Sequence, residues 1–181
     1  MRVRAVQFFF AAISIWLGSA LADPEIGKTY ALKFVDVDGN TQSTADGRIT
    51  VLVLTDKAGF PKARMVGERV PDHCLANPNY RMITLVKFGK HSAPVQKFLR
   101  AMARRRLDKE AARLQERYAA RKIEKDARRD VFAVADFDGA IASQLESQAS
   151  EFRVLVFGRN GELLRQWDDV PTAEQLAEVL K

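Results

Sequence analysis

The sequence is short of cysteine: Cys74 is the only one in 181 residues. No disulfide can therefore form within the chain, and a dithiol redox cycle is excluded because it needs a second, resolving thiol. In an oxidising compartment a single cysteine is buried and inert, paired with another chain, or reactive. Since free cysteine is among the most often buried residue types, burial is the first expectation for Cys74.

Histidine is nearly as scarce, with only His73 and His91 in the chain. No group of Cys and His has the spacing of metal ligands, and a Ser-His-Asp arrangement cannot be argued from two histidines. His73 precedes Cys74, and an imidazolium lowers the pKa of a nearby thiol, but no third residue is placed to orient the ring. A glycine-rich phosphate loop is also missing. The sequence therefore contains no constellation that carries a reaction, and it implies no cofactor.

The N-terminal segment differs from the rest of the chain. Two arginines precede an apolar run, residues 5–22, which ends in Ala-Leu-Ala before Asp23. A basic start, an apolar middle and small residues before the cut are typical of a secretory signal peptide over residues 1–22. We expect cleavage near Ala22, which places residues 23–181 in the periplasm or outside the cell. The alternative is an uncleaved membrane anchor, since roughly 18 apolar residues approach the length that spans a bilayer.

A strand, a turn and a helix start are predicted over residues 49–64. The apolar run that begins at Ile49 favours a strand buried on both faces, and Pro61 suits the first turn of a helix that begins near Phe60. This segment resembles the first core strand and active-site turn of the thioredoxin-like (redoxin) superfamily, in which Cys-x-x-Cys at a helix start is followed by Arg or Lys. When this segment is aligned with that pattern, Phe60 and Ala63 occupy the two cysteine positions, and Arg64 follows them.

The rest of the chain extends this resemblance over most of residues 26–181. A hairpin is predicted around Asp38-Gly39, further strands over residues 81–88 and 131–137, a short helix over 140–145, and a hairpin through Asn160-Gly161 before a closing helix. The resemblance implies an α/β fold, a thioredoxin-like three-layer sandwich with a mixed central sheet, flanking helices and an N-terminal β-hairpin. Active members carry a cis-proline before the strand that here begins near Phe152, and no proline occurs between residues 144 and 157.

A long helix over residues 92–130 is predicted as an insertion into this fold. Ser92 can cap it, Pro94 suits its first turn, and no helix-breaking residue follows before residue 129. At 1.5 Å per residue it would be about 55 Å long, so one end should overhang a domain of this size. Its apolar residues predict one buried stripe: Val95, Phe98, Leu99, Met102, Leu107, Ala111, Leu114, Tyr118 and Ile123.

This helix is also basic, because residues 97–130 contain 13 Lys or Arg against 6 Asp or Glu. Seven basic residues recur at every fourth position: Arg105, Lys109, Arg113, Arg117, Arg121, Lys125 and Arg129. One interpretation is a solvated arm whose aliphatic stems cover apolar surface. The other is contact with an acidic partner or with anionic lipid headgroups, and no nucleic acid is expected in an exported protein.

Three functional hypotheses follow from these features. The first is an exported thioredoxin-fold module without thiol-disulfide oxidoreductase activity, which binds an unidentified protein or another component of the cell envelope. The second is a single-cysteine redox protein or peroxidase-like protein that uses Cys74. The third is a protein that binds an anionic surface, including a membrane surface, through the basic helix.

Overall fold

The computed structural model describes residues 23–145 and 151–181. The predicted signal peptide over residues 1–22, and with it the cleavage site near Ala22, lies outside the described residues. Among the residues that are described, no helix is both long enough and apolar enough to cross a membrane.

The centre of the fold is a mixed sheet of five strands in the order β5-β4-β3-β6-β7. Strands β3, β4 and β5 are parallel, whereas β6 is antiparallel to β3 and β7 is antiparallel to β6. A separate two-stranded hairpin, β1 with β2, precedes it. The strands are β1 Lys33–Val35, β2 Thr41–Ser43, β3 Ile49–Thr55, β4 Tyr80–Lys87, β5 Val131–Asp136, β6 Arg153–Phe157 and β7 Leu163–Trp167. The helices are α1 Phe60–Arg69, α2 Ala93–Ala120 and α3 Ala173–Val179.

Strand β3 is buried on both faces, as the unbroken apolar run predicts. Alternate side chains of a strand point to opposite faces, so Leu52 and Leu54 join a different core from Val51 and Val53. The first core packs the sheet against the N-terminal hairpin, and the second packs it against α1 and α3. The predicted α/β fold class is confirmed, including the mixed sheet, the N-terminal hairpin and a long helix.

The long helix is shorter than predicted. It spans 28 residues and ends at Ala120, so its length is about 42 Å and not about 55 Å. The chain then turns through Lys122, whose φ of 57° is left-handed, and a one-turn 3₁₀ helix, Ala127–Asp130, leads into β5. The prediction over 92–130 was wrong at this end because the turn contains neither proline nor glycine. The helix ends close to Tyr118, which is buried and makes tertiary contacts, and no helix-breaking residue is present there.

The predicted apolar stripe of α2 is also wrong in part. Leu99, Leu107, Ala111 and Tyr118 are buried, but three other members, Val95, Phe98 and Met102, are exposed. A helix turns by 100° per residue, so neighbours in sequence such as Phe98 and Leu99 cannot share one narrow face. The predicted set was too wide for a single stripe, and the sheet covers only one part of it.

Two smaller elements differ in how well the sequence predicts them. The helix expected over residues 140–145 is only a single 3₁₀ turn, Ala142–Gln144. The carboxylate of Asp136 accepts hydrogen bonds from the N–H groups of Gly139, Ile141 and Ala142, which lie before this turn and at its first residue. The predicted closing helix is present as α3, and the Thr172 hydroxyl caps it by accepting a hydrogen bond from the Gln175 N–H at 3.2 Å.

Candidate functional site

The first turn of α1 lies at the carboxyl end of β3. Strand β3 ends at Thr55, and the Asp56 carboxylate accepts a hydrogen bond from the Gly59 N–H at 2.8 Å, which fixes the turn into the helix. Phe60 is the first residue of α1 and is half-buried, and Ala63 is buried one turn later. The structure therefore brings together the two residues that the sequence singled out at this turn.

Gly59 is required here by close packing. A Cβ atom at this position would lie 2.2 Å from the Thr55 Oγ1 atom and 3.2 Å from Cδ2 of Phe152. Phe152 directly precedes β6, is buried, and lies where the fold brings the start of β6 next to the start of α1. An aromatic side chain thus fills the space beside the first turn of α1.

A residue of the long helix covers Phe60. The Arg106 guanidinium carbon lies 3.9 Å from the centre of the Phe60 ring, and such a cation–aromatic contact contributes about 0.5–2 kcal/mol depending on burial. On the other side of the turn, Lys62 Nζ lies 5.5 Å from the centre of the Phe152 ring. The first turn of α1 is therefore an apolar, aromatic surface that is overlaid by cations.

The same edge of the sheet carries two further rings. Phe88 follows β4 and Phe137 follows β5, and their rings stack with centres 5.3 Å apart. Arg100 lies 4.9 Å from the Phe137 ring and Lys57 lies 5.6 Å from the Phe88 ring. Because the carboxyl ends of parallel strands meet at one edge, these pairs adjoin the Phe60 turn. These four residues were not among the predicted site residues, although the sequence offers one signal, a phenylalanine at the end of each of two successive predicted strands.

Cys74 lies away from this edge, in a one-turn 3₁₀ helix, Asp72–Cys74. Its side chain is buried among apolar residues, and this burial raises the pKa of the thiol to about 11. The neighbouring His73 directs Nε2 to the Leu180 carbonyl oxygen at 2.7 Å, and its ring contacts Tyr80 edge to face. The environment of Cys74 therefore favours the neutral thiol, and the His73 ring contacts the residue after α3 and the first residue of β4.

A groove connects these two regions between α1 and α2. Its volume is about 590 Å³, and it extends from Phe60 at one end to Cys74 at the other. The side chains of Met82, Thr84 and Ala133 on the sheet contribute to its lining. Arginines and glutamates of the two helices also line it, among them Arg64, Glu68, Arg106, Glu110, Arg113 and Arg117. Within residues 23–145 and 151–181, no three His, Cys, Asp or Glu side chains are grouped so that they could hold a metal ion.

The predicted basic row runs beyond the end of α2 at Ala120, and its members make different contacts. Arg117 donates to the Gly67 carbonyl oxygen at 2.8 Å and to that of Val70 at 3.1 Å, so it joins the end of α2 to the end of α1. Arg121 pairs with Asp72 at 2.5 Å, and Lys125 Nζ pairs with Asp130 at 2.7 Å. These three residues contact other parts of the fold, so this part of the row is not a free arm in solvent.

The other four members of the row lie nearer the surface. Arg113 pairs with Glu110 at 2.8 Å, and Arg129 lies 3.9 Å from Asp126. Arg105 and Lys109 are exposed, and neither forms an ion pair with any residue in the described part of the chain. The even spacing of the row in sequence therefore does not correspond to one continuous basic surface.

No family model matches the sequence. No curated protein matches it either. Solved structures do match the fold, and one is a DsbF homologue from Corynebacterium diphtheriae, with a TM-score of 0.52 at 12% identity, covering 86% of each chain. A protein disulfide isomerase candidate from Bacteroides thetaiotaomicron has a TM-score of 0.53 at 14% identity, covering 86% of this chain and 90% of that one. A thioredoxin candidate from Neisseria meningitidis has a TM-score of 0.52 at 13% identity, with 86% and 89% covered.

These comparisons and the geometry define the class of the protein. At such low identities the likeness shows the fold alone, and the fold is thioredoxin-like. With Cys74 as its only cysteine, the chain has no Cys-x-x-Cys pair. It is therefore a thioredoxin-fold protein that lacks the dithiol motif from which disulfide exchange proceeds in two thiol steps.

Proposed function

We propose that this protein is an exported thioredoxin-fold binding module without thiol-disulfide oxidoreductase activity, in which Phe60 and Ala63 stand at the two cysteine positions. The observation that carries the proposal is the place of Phe60, the first residue of α1 at the carboxyl end of β3, with Ala63 three residues later. A phenyl ring and a methyl group supply no nucleophile, so no mixed disulfide can form at this turn.

The environment of Cys74 argues against the single-cysteine alternative. Disulfide and peroxide chemistry both start from a thiolate that is accessible to the substrate. With a pKa of about 11, only about one Cys74 side chain in ten thousand is a thiolate at pH 7. The side chain is also buried, so the few thiolates that form are shielded from large substrates.

The groove between α1 and α2 supports a binding role. Ligand sites are typically concave and mostly apolar, with a small number of polar groups that orient the bound molecule. Most of the groove surface is apolar, charged side chains of α1 and α2 supply polar groups along it, and it begins at the Phe60 turn. The bound molecule in our proposal is an unidentified protein or another envelope component.

Export is proposed from the N-terminal sequence, which has the features of a signal peptide with cleavage near Ala22. The mass of the protein recovered from the periplasm or the medium should correspond to a chain that begins at Asp23. A chain of full mass that stays with the membrane fraction would favour the uncleaved anchor.

An insulin-reduction assay with dithiothreitol tests the absence of redox activity. We expect the wild-type protein to leave the uncatalysed rate unchanged. If the wild-type protein accelerates reduction and Cys74→Ser abolishes the effect, the proposal is overturned in favour of the single-cysteine alternative.

A double variant, Phe60→Cys with Ala63→Cys, tests the positional assignment separately. Residues three apart in the first turn of a helix lie within the Cα separation of about 4.4–6.8 Å that a disulfide requires, so the oxidised variant should lose both new thiols. Thiol titration and mass measurement report this directly, with Cys74→Ser as the background in all samples. Failure of this pair to close would show that the two positions are not equivalent to a Cys-x-x-Cys pair.

A further inference from the structure

Three large apolar side chains are exposed on the first half of α2. The exposed fractions are 41% for Val95, 63% for Phe98 and 51% for Met102. Their separations of three and four residues place them on one face of the helix. This face does not pack against the sheet, because Leu99 and Leu107 lie on the buried side of the helix.

Two basic side chains continue this face toward the middle of the helix. Arg105 follows Met102 by three residues and Lys109 follows Arg105 by four, so the same spacing is maintained over five residues and about 21 Å of helix. Both are exposed, and neither pairs with an acidic side chain within residues 23–145 or 151–181. We call Val95, Phe98, Met102, Arg105 and Lys109 the α2 stripe.

The net charge around the α2 stripe is positive. Residues 93–109 contain six Lys or Arg and one acidic residue, Asp108. The Asp108 carboxylate is bound by Arg128 at 2.9 Å, so it does not compensate the stripe. The stripe therefore combines exposed apolar area with unpaired positive charge, and no acidic residue belongs to it.

This combination is complementary to an anionic lipid bilayer. Helices that bind in the membrane interface place Phe, Leu or similar side chains below the headgroups and Lys or Arg on the phosphates. A protein interface generally buries about 800 Å² on each partner, which is broad compared with five side chains along one helix. The division of the stripe into an apolar part and a basic part also matches the apolar and charged layers of a bilayer.

We propose that the α2 stripe docks this protein on an anionic phospholipid membrane, with Phe98 and Met102 inserted and Arg105 and Lys109 on the phosphates. The inference does not depend on the absence of redox activity. It also differs from a general role of the basic row, because Arg117, Arg121 and Lys125 are engaged within the protein.

Vesicle co-sedimentation of the purified protein tests the proposal. One set of vesicles consists of phosphatidylcholine, and the other contains about 30% phosphatidylglycerol. We expect binding to the anionic vesicles that decreases as salt rises from about 0.05 to 0.5 M, because the Debye length shortens. Residues 1–22 are the same in all variants, so the comparison among variants isolates the stripe.

Three double variants separate the contributions. Arg105→Gln with Lys109→Gln should weaken binding about 25-fold, since each basic residue near the surface contributes about fivefold. Phe98→Gln with Met102→Gln should weaken it about tenfold through lost insertion. The matched control, Arg159→Gln with Arg165→Gln, removes the same charge from exposed positions elsewhere and should bind like the wild type. Thermal melting confirms that each variant is folded.

The outcomes that overturn the proposal are distinct. Equal loss in the control and the charge variant would mean that net charge alone drives adsorption. Unchanged binding in the apolar variant would mean that the side chains do not insert, and would favour an acidic protein as the partner. Absence of binding to anionic vesicles at low salt would exclude a membrane role for the stripe altogether.

Discussion

At the scale of single residues, the contact between Phe60 and Arg106 determines what the first turn of α1 can do. In the thioredoxin-like pattern this turn must expose a reactive atom to the substrate, but here an aromatic ring lies beneath a guanidinium group at 3.9 Å. The sequence indicated Phe60 because its neighbours follow a recognisable strand–turn–helix pattern. It could not indicate Arg106, because that contact joins residues 46 positions apart on two helices, and only the fold brings them together.

Cys74 provides a prediction at the same scale. Burial raises the pKa of the Cys74 thiol to about 11, whereas an unfolded cysteine titrates near 8.5. At pH 8 the thiolate fraction should therefore be at least about a hundredfold smaller in the folded protein, and iodoacetamide should label the native thiol correspondingly slowly. Mass spectrometry of timed samples, with the urea-unfolded protein as the reference, measures both rates. Native labelling as fast as the unfolded reference at pH 8 would contradict the burial.

At the scale of elements, the strands were more predictable than the helix ends. Strand β3 is an unbroken apolar run, and both its type and its burial follow from that composition. The end of α2 was not predictable in this way, because residues 121–126 contain no proline or glycine. The turn is made by Lys122, whose backbone has a left-handed conformation. The exposed face of α2 was also missed, since periodicity shows which residues are apolar but does not show how much of the helix surface the sheet can cover.

The start of α1 depends on Gly59, and a substitution tests this. Gly59→Ala should lower the free energy of unfolding by about 1–3 kcal/mol, because the added Cβ would lie 2.2 Å from the Thr55 Oγ1 atom. The matched control is Gly67→Ala in the same helix, where the nearest atom would be at 3.6 Å. That control should stabilise the protein by about 0.5–1 kcal/mol, as expected for alanine in a helix interior. Urea denaturation measures both changes, and equal effects at the two positions would contradict this account.

The end of α2 depends on Tyr118. Its hydroxyl donates to Asp130 at 2.7 Å and accepts from the Ala76 N–H at 3.0 Å, so it joins α2 to the start of β5 and to the loop before β4. Tyr118→Phe should lower the free energy of unfolding by about 1–3 kcal/mol, since two polar groups lose their partner. Desolvation and the hydrogen bond to Asp130 raise the pKa of Tyr118.

The raised pKa of Tyr118 predicts the direction in which the stability of the protein changes at high pH. A phenol whose pKa is higher in the folded state stabilises the protein fully below the unfolded pKa of about 10, and this contribution is lost as the pH rises further. The wild type should therefore lose stability above about pH 10 more steeply than Tyr118→Phe. Parallel stability curves for the two proteins above that pH would show that Tyr118 is not responsible.

At the scale of the whole molecule, one buried arginine, Arg81, joins elements that the apolar pattern of the sequence predicts only one by one. The strands, the hairpin and the closing helix could each be predicted from local sequence. How the hairpin attaches to the sheet could not, because Arg81 and Asp46 are 35 residues apart and neither stands out in the sequence. The Arg81 side chain is 1% exposed and lies 2.7 Å from the Asp46 carboxylate. It also donates to Thr50 at 3.0 Å and to Gln42 at 2.9 Å, so one guanidinium group connects β4, β3 and the hairpin.

This network gives a prediction for the stability of the whole fold. Arg81→Gln should lower the free energy of unfolding by about 1–3 kcal/mol, because the buried Thr50 and Gln42 side chains lose a hydrogen-bond partner and the partly exposed Asp46 loses its counter-charge. The matched control is Arg48→Gln, which removes a cation from the same Asp46 at the surface and should cost about 0–1 kcal/mol. Burial raises the pKa of Asp46, but the hydrogen bond from Arg48 and the charge of Arg81 outweigh it, and the net pKa is lowered.

The lowered pKa of Asp46 determines how this stability depends on pH. A carboxyl group whose folded pKa lies below its unfolded value of about 3.9 contributes fully above that pH, and the contribution is lost as the pH falls through the folded pKa. The wild type should therefore lose stability below about pH 4, and the difference between it and Arg81→Gln should narrow over the same range. Urea denaturation at a series of pH values measures the difference directly. A difference that stays constant down to the acid transition would mean that Arg81 acts through packing and its hydrogen bonds to Thr50 and Gln42, and not through the charge of Asp46.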